Sequence, residues 1–278
     1  EKGVLTSFIT SINPNKLGFY MFKAYLKLEN IPEERKKFFK ALKDNKSVYW
    51  YGVSDGAFDC AFAFLSTNIT TYFEEINSLL SKWEHLIITK VLGTMVDTRQ
   101  YYKKFLTDEP SKEVIFGGDI TSVETDELDF KILNILANDA RIPVTDLVRK
   151  VNSTVEIVRR RMKHLEIKGV ILSYRIGIDL NKLGLEFFKA IIYFRTLSKK
   201  DEMAMFEWMR RHPKALYYIR SLAPWEVEFE FVVESYLEFN SIINELREKF
   251  PHVIRNHEHL IMSHEEWMPA FREMKGKN

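Results

Sequence analysis

The apolar positions of residues 125–179 follow the period of three short helices and then a hairpin. In the first predicted helix, 126–138, one apolar stripe is formed by Leu128, Ile132, Ile135 and Leu136. Thr125 is predicted to cap its start. Pro143 suits the beginning of a second helix, whose inward-facing residues are Leu147, Val148 and Val151.

A third helix is predicted from the cap Thr154 to Lys168, ending at Gly169. Asn152 stands in the turn before it, where a residue that tolerates positive φ is needed. The inward face of the third helix repeats at i, i+4 and i+7, at Val158, Met162 and Leu165. Three helices in this order, followed by a hairpin, predict a winged helix-turn-helix.

The opposite face of the third helix is strongly charged. Residues 149–175 hold eight Lys/Arg and two Asp/Glu, a local charge of +6, whereas the whole chain carries +2. A short basic helix of this kind favours binding in a DNA major groove, although a solvated basic helix is the alternative interpretation. Arg161 lies beside the buried face and is predicted to form an intramolecular ion pair.

The predicted DNA-binding residues fall into two groups. Four on the third helix would face the groove, namely Glu156, Arg159, Arg160 and Lys163. Thr154 at its start and three flanking cations complete the set, with phosphate contacts expected from Arg149, Lys150 and Arg175.

Two motifs of this region carry a family resemblance. D-E-L-D-F-K-I-L-N-I-L-A-N-D-A-R begins at Asp126, and R-R-R-M-K-H-L-E-I-K-G-V-I begins at Arg159. Together they resemble the DNA-binding domain of the Lrp/AsnC (leucine-responsive regulatory protein) transcription regulators. The chain departs from the family pattern at Val148, where Ala is usual, and at Asn152, where Gly is usual.

The rest of the chain contains a long internal repeat. Residues 1–8 parallel 167–174, and 15–18 parallel 181–184, at an offset of 166. After a one-residue insertion the offset becomes 167, which pairs Phe58 with Trp225 and His85 with His252. A repeat of this length predicts two copies of one domain.

Each copy is predicted to run strand, helix, strand, strand, helix, strand, the order of a ferredoxin-like βαββαβ domain. The fold class is therefore α+β, with two ferredoxin-like domains and one winged helix-turn-helix between them. The sheet face without helices would carry Phe62, Phe64, Phe229 and Phe231 or their neighbours. We expect these faces to pack on one another, or on the same domains of a second chain.

The predicted boundaries are 1–11 for the wing remnant of an upstream winged helix, 12–106 for the first ferredoxin-like domain, 107–124 for a linker, 125–179 for the winged helix and 180–278 for the second ferredoxin-like domain. The linker contains Pro110, Ser111, Gly117 and Gly118. Before it, residues 101–105 interleave aromatic and basic side chains, which could stack on bases or pack against the sheet. With a second winged helix upstream, the intact protein would resemble a covalently joined family dimer.

The repeated unit resembles the ligand-sensing and dimerising domain of the Lrp/AsnC family. That family has a G-x-[Tyr/Phe]-D hairpin at a small-molecule site, and residues 56–59 match it at Gly56, Phe58 and Asp59. Residues 223–226, Ala-Pro-Trp-Glu, do not match. The resemblance implies an effector such as an amino acid at the first hairpin. Alternatively, Gly56 only permits the turn and Asp59 only caps it.

Other candidate chemistry comes from the histidines and the single cysteine. His257 and His259 would share one face of a strand, as metal ligands or as part of an exposed edge, and we expect neither a metal nor a cofactor. Cys60 is the single cysteine, which excludes an internal disulfide. The sequence has no run of 18 apolar residues and no signal peptide, so we expect a cytoplasmic protein without a membrane partner.

Three functions fit the pattern. The first is an Lrp/AsnC-type regulator that binds double-stranded DNA and pairs with itself, within the chain or as a homodimer. The second is an enzyme that resembles the siroheme decarboxylases, which share this architecture. We expect a histidine on a hairpin strand in such enzymes, and strands 47–53 and 214–222 contain none. The third is a scaffold without a ligand.

Overall fold

The computed structural model describes residues 3–101, 103–106 and 113–267. Its strands are β1 (Leu5–Ile12), β2 (Tyr20–Leu28), β3 (Val48–Gly56), β4 (Cys60–Ser66), β5 (Ile87–Tyr101), β6 (Glu113–Gly117), β7 (Ile171–Ile178), β8 (Glu186–Phe194), β9 (Ala215–Leu222), β10 (Val227–Val233) and β11 (Ile254–Trp267). Its helices are α1 (Pro32–Asp44), α2 (Ile69–Leu80), α3 (Glu127–Asn138), α4 (Val144–Val151), α5 (Val155–Ile167), α6 (Lys199–Arg211) and α7 (Tyr236–Lys249).

Several predictions fall outside the described residues. These are the first two residues of the wing remnant, Tyr102 in the aromatic-basic stretch, Pro110 and Ser111 of the linker, and residues 268–278 of the second domain. In the same stretch Tyr101 is fully buried in the core of the second repeat, so it packs against the sheet and is not exposed for stacking on bases.

The two repeats form two βαββαβ units. The first unit (β2 to β5) has the strand order β5-β2-β4-β3, and the second unit (β8 to β11) has the matching order β11-β8-β10-β9. Local sequence supports these elements at matching places. The side chain of Asn68 caps α2 by accepting a hydrogen bond from the backbone of Thr71, and Ser235 caps α7 in the same way.

The edges of the two sheets join and close a ring of eight strands. β3 pairs with β11, and the second half of β5 pairs with β9, both in antiparallel register. Both β5 and β11 are long enough to pair with their own unit over one half and with the other unit over the rest. β6 adds to β5, so the second part of the predicted linker is a paired strand and not an unstructured connection.

The two sheets pack face to face, and the space between them is the inner layer of the molecule. Both units contribute to its apolar part, which includes Tyr25, Trp50, Phe58, Phe187, Ile191 and Trp225. The expected four phenylalanines are buried but lie on the other face, against the helices: Phe62 and Phe64 in the first unit, Phe229 and Phe231 in the second. Their neighbours along the strands are the residues that point into the inner layer.

The helices α3, α4 and α5 lie between the two units in the sequence and form a three-helix core. Its fully buried residues are Ile132, Leu133, Leu136, Leu147, Val158 and Leu165. The cap of α3 is Asp126 and not Thr125: Asp126 and Asp129 accept hydrogen bonds from each other's backbone N–H, at 3.0 and 3.1 Å, in a capping box. The same core extends to Leu17, in the turn before β2, and to Met21 and Ile219 of the sheets, so the three helices rest on the ring.

The segment predicted as a wing remnant is built into this helical domain. β1 pairs with β7 in a two-stranded sheet, in which Ile9 lies opposite Arg175. These two residues are repeat equivalents, so a pseudo-two-fold axis passes between them. β1 also packs on α3, because Thr10 donates a hydrogen bond to the carbonyl of Leu136 at 2.8 Å and Phe8 accepts one from Ala140 at 3.0 Å.

Candidate nucleic-acid interface

The turn between α4 and α5 has the backbone geometry that the sequence predicts. Asn152 ends α4 in the left-handed region, with φ 52° and ψ 57°, which Asn adopts more readily than other side chains. Thr154 then caps α5 by accepting a hydrogen bond from the N–H of Ile157 at 3.3 Å. The two short helices are therefore held at a fixed angle by a tight turn, as in helix-turn-helix proteins.

One face of α5 is fixed against the core. Val158 and Leu165 are fully buried on it. Arg161 binds two carboxylates of α3, with its guanidinium nitrogens 2.6 Å from Asp126 and 3.1 Å from Asp129. Burial raises the pKa of Asp129, and the nearby guanidinium compensates the charge of its carboxylate. The predicted intramolecular ion pair of Arg161 is thus confirmed.

The other face of α5 is exposed and carries free cations. Glu156, Arg159, Arg160 and Lys163 are all exposed. Within residues 3–101, 103–106 and 113–267, the side chains of Arg159, Arg160 and Lys163 have no ion-pair or hydrogen-bond partner. Lysine and arginine heads that bind no protein carboxylate are available to an external anion, and here three of them lie on one helix face.

The flanking residues differ from one another. Lys150 is exposed at the end of α4, whereas Arg149, also exposed, pairs with Asp146 one turn earlier. Arg175 is not directed outward. Its guanidinium donates a hydrogen bond to the hydroxyl of Tyr217 at 2.7 Å, and it lies 5.8 Å from the centre of the Trp267 ring. Arg175 therefore binds the second unit through this contact, and its role as a phosphate contact stays a prediction.

The hairpin of residues 56–59 is closely packed. Gly56 has φ +114°, and a Cβ at this position would lie 2.4 Å from the backbone oxygen of His259 on β11. Phe58 is buried in the inner layer, against Tyr25 and Trp225. The carboxylate of Asp59 accepts a hydrogen bond from the N–H of Leu28 at 2.8 Å. Each of the three predicted effector residues thus has a structural role in this hairpin.

The second hairpin repeats that geometry despite its different sequence. Glu226, the repeat equivalent of Asp59, accepts a hydrogen bond from the N–H of Phe194 at 3.0 Å. Trp225 takes the place of Phe58 and is equally buried. The carboxylate at this position caps the end of a neighbouring strand in both units. This observation supports the capping interpretation of Asp59.

Comparison with known proteins connects these features to a family. A family model described as the AsnC-type helix-turn-helix domain matches residues 126–166, which contain α3, α4 and most of α5. The HTH-type transcriptional regulator LrpB of Bacillus subtilis is 31% identical over 84 residues, which are 30% of this chain and 56% of that protein. Residues 126–166 thus form an AsnC-type helix-turn-helix domain.

A second relative supports the same assignment. The HTH-type transcriptional regulator LrpA of Pyrococcus horikoshii is 48% identical to this chain over 59 residues, which are 21% of this chain and 42% of that protein. The chain thus spans about half the length of the curated relatives it matches.

Among solved structures, the siroheme decarboxylase NirDL matches 97% of this chain and 82% of its own, with a TM-score of 0.66 and 8% identity. Its complex with an iron-uroporphyrin III analogue has a TM-score of 0.64 and 9% identity over 98% of this chain and 79% of that chain. At such identities the likeness shows the fold alone. NirDL therefore has a similar fold over nearly the whole of this chain.

The inner layer of the ring also contains charges that were not predicted from the sequence. Lys23 and Lys189 are buried there with Glu228 and Glu230. Glu228 accepts hydrogen bonds from Lys23 at 2.9 Å and from Lys189 at 2.6 Å, and Tyr25 also donates to it. Although burial alone would raise the pKa of Glu228, the two ammonium groups hold it well below its ordinary value. The available signal was the alternation of Glu with apolar residues in β10.

The histidines do not form a metal centre in the described part of the chain, where no group of three or more His, Cys, Asp or Glu could hold a metal ion. His257 has a pKa lowered by burial, and the ring of His259 packs beside Tyr236 and Phe239. Cys60 is fully buried, and burial raises the pKa of its thiol. Among the residues that the structure describes, no helix is both long enough and apolar enough to cross a membrane.

Proposed function

We propose that this protein is a sequence-specific, DNA-binding transcriptional regulator of the Lrp/AsnC type in which α5 enters the major groove. The observation that carries the proposal is the exposed face of α5, with the free cations Arg159, Arg160 and Lys163. The 13 residues of α5 give it a length of roughly 20 Å, which suits a groove about 12 Å wide.

The roles of the individual side chains follow from their chemistry. Arg159 and Arg160 can each bind the O6 and N7 atoms of a guanine with two hydrogen bonds, and Glu156 can accept one from the amino group of a cytosine. Lys163 adds positive charge on the same face. Lys150 contacts a phosphate, and the hydroxyl of Thr154 can donate to another while its oxygen caps α5. Arg149 joins them once DNA competes with Asp146 for its guanidinium.

DNA titrations of two variants test these roles. Arg160→Ala should weaken binding to a selected site by roughly 5- to 150-fold, equivalent to about 1–3 kcal/mol, and relax the preference for one base. Lys150→Ala should weaken binding to all DNA sequences alike. It should also reduce the salt dependence of binding by about the amount that one phosphate contact contributes. Lys36→Ala is the matched control, since Lys36 is an exposed lysine on α1. Equal affinities of all three variants at one salt concentration would contradict the proposed role of α5.

An effector of the amino-acid class at the first hairpin is a separate proposal, and it rests on the match of Gly56, Phe58 and Asp59 to the family pattern. The two hairpin carboxylates offer a matched pair of variants. Asp59→Asn and Glu226→Gln each weaken a similar backbone hydrogen bond. If the first hairpin binds the effector, only Asp59→Asn should abolish the rise in melting temperature with an amino acid. If no amino acid of a panel raises the melting temperature of the intact protein, only the capping role of Asp59 remains.

We favour a regulator over a decarboxylase because the curated relatives carry the names of transcriptional regulators, whereas the likeness to NirDL concerns the fold. The strands β3 and β9 also lack the histidine expected of such an enzyme. An absorbance titration with an iron tetrapyrrole separates the two functions. We expect no saturable shift of the Soret band, and a saturable shift would favour the enzyme.

The self-association expected of the family takes an internal form in this proposal. The two units act as the two halves of a dimer within one chain, since β3 pairs with β11 and β5 pairs with β9. Sedimentation of the intact chain at several concentrations tests this. A monomer at low concentration supports internal pairing, whereas an obligate dimer contradicts it.

A further inference from the structure

The buried charges of the inner layer are distributed unequally between the two units. Lys23 on β2 and Lys189 on β8 are repeat equivalents, so each unit supplies one lysine. The positions that hold Glu228 and Glu230 in the second unit are occupied by Ala61 and Ala63 in the first. On these four strands, both carboxylates of the inner layer therefore come from the second unit.

The consequence for each lysine is different. Lys189 lies opposite Glu230 on the neighbouring strand of its own unit, and their charged atoms are 2.9 Å apart. Lys23 lies opposite Ala63, and its counter-ion is Glu228 of the other unit, at 2.9 Å. The side chain of Lys23 is only 7% exposed. Because burying an unpaired ammonium is strongly unfavourable, the first unit needs a partner that supplies a carboxylate at this place.

Charge balance then distinguishes the three pairings that two such units can form. The observed pairing of unlike units buries two lysines and two glutamates from these positions, and their charges cancel. Two first units from different copies of the chain would bury two lysines and no glutamate. Two second units would bury two lysines and four glutamates. Counted over these positions, only the unlike pair is neutral.

We propose that these four buried charges select the pairing of unlike units and disfavour the pairing of like units between two copies of the chain. The partner that fits the first unit is thus a ferredoxin-like unit with carboxylates on the inner face of its third strand. This mechanism is independent of DNA binding. It adds a chemical preference to the effect of the covalent connection between the units.

A pair of cysteines can report like pairing in the full chain. In the observed structure Asp55 lies opposite Ile261, and Thr94 lies opposite Leu222. Since Leu222 is the repeat equivalent of Asp55, two paired first units would place residue 55 of one copy opposite residue 94 of the other. Within one chain these residues belong to strands at opposite edges of a four-stranded sheet, separated by roughly 14 Å at about 4.8 Å per strand. A disulfide requires Cα atoms within about 7 Å, so Asp55→Cys with Thr94→Cys should crosslink only between copies.

Two charge variants are compared in this background, each refolded at the same concentration of about 1 mM, near the effective concentration of tethered domains. The first neutralises the layer with Lys23→Met, Lys189→Met, Glu228→Gln and Glu230→Gln. The second, the exchange variant, moves one carboxylate to the first unit with Ala63→Glu and Glu230→Ala, which makes every pairing neutral. Ile76→Val, a mild change in the helix-facing core, serves as the control for lost stability.

The readout is the fraction of chains with an inter-chain disulfide between residues 55 and 94, measured by non-reducing electrophoresis and peptide mass spectrometry. We expect at least a tenfold rise over the native layer in both charge variants and none with Ile76→Val. The proposal is overturned if the fraction of chains with the inter-chain disulfide rises in none of the charge variants that fold, as judged by circular dichroism. If both fold and they disagree, the exchange variant decides, because it retains all four charges.

Discussion

The ion pair of Lys23 and Glu228 joins the two repeats at a buried site, so its removal gives a measurable test of the packing described above. The perturbation is a double-mutant cycle of Lys23→Met, Glu228→Gln and the double variant. Lys23 and Glu228 lie 2.9 Å apart, with side chains 7% and 0% exposed. Met keeps most of the apolar stem of Lys, and Gln keeps the shape of Glu.

The structure predicts a different loss of unfolding free energy for each of the two single variants. Glu228→Gln removes the charge that balances Lys23 and part of that for Lys189, and it should cost about 3–5 kcal/mol. Lys23→Met leaves Glu228 with Lys189 and with donors on Tyr25 and Ser221, so its cost should be smaller, about 1–3 kcal/mol. In the double variant Lys189 still has Glu230, and the layer is again neutral.

The double variant should therefore be more stable than the sum of the single effects predicts, by a coupling energy of about 1–3 kcal/mol. The assay is urea unfolding of the full chain, followed by tryptophan fluorescence, to which Trp50 and Trp225 in the inner layer contribute. The matched control is the pair of Lys36 and Glu33, which are 2.8 Å apart but have side chains 73% and 75% exposed. Its coupling should stay below about 0.5 kcal/mol. Equal couplings in the two cycles would refute the reasoning.

Three further predictions concern separate features. Because the pKa of Glu228 is held below its ordinary value, its contribution to stability is present above about pH 4.5 and is lost as the pH falls further. The difference in unfolding free energy between the native protein and Glu228→Gln should therefore be constant near neutral pH and shrink in acid. A difference that grows in acid would contradict this sign. Gly56→Ala should lower the unfolding free energy by about 2 kcal/mol or more, since it adds a contact with the His259 backbone to an unfavourable φ; Gly184→Ala, with φ +67° and open space around it, should cost only about 1 kcal/mol in the same denaturation experiment. Arg161→Leu should destabilise the protein by about 2–3 kcal/mol because Asp129 loses its cation, whereas Arg159→Leu should change stability by less than about 0.5 kcal/mol; similar melting temperatures for the two would contradict the assigned faces of α5.

The helices of residues 126–168 could be predicted closely from sequence because each has one buried face and ends at a residue with local geometry of its own. Asn152 and Gly169 are examples, and both have positive φ in the structure. The βαββαβ order could be predicted for the same reason and because the repeat shows it twice. The cap of α3 was displaced by one residue, since Thr125 and Asp126 are both good caps and only the contacts of Asp129 distinguish them.

The orientation of β4 and β10 could not be predicted in this way. Every residue of both strands is buried, so the alternation of aromatic residues with Ala or Glu does not reveal which face lies against the helices. Large rings occupy the helix side, and the inner layer takes Ala61 and Ala63 in one unit and the charged pair in the other. The positions of Glu228 and of Arg175 depend on partners remote in sequence, Lys23 and Tyr217.

In a homodimer, every residue on one side of the interface has an identical copy on the other, so a substitution changes both sides at once. The ring of this protein has the same pseudo-two-fold arrangement, but its two sides are encoded separately. This chain can therefore have Ala at one position and Glu at the equivalent position, whereas a symmetric homodimer cannot. The same freedom extends to the two hairpins, where one side has Gly-Ala-Phe-Asp and the other has Ala-Pro-Trp-Glu at the equivalent positions.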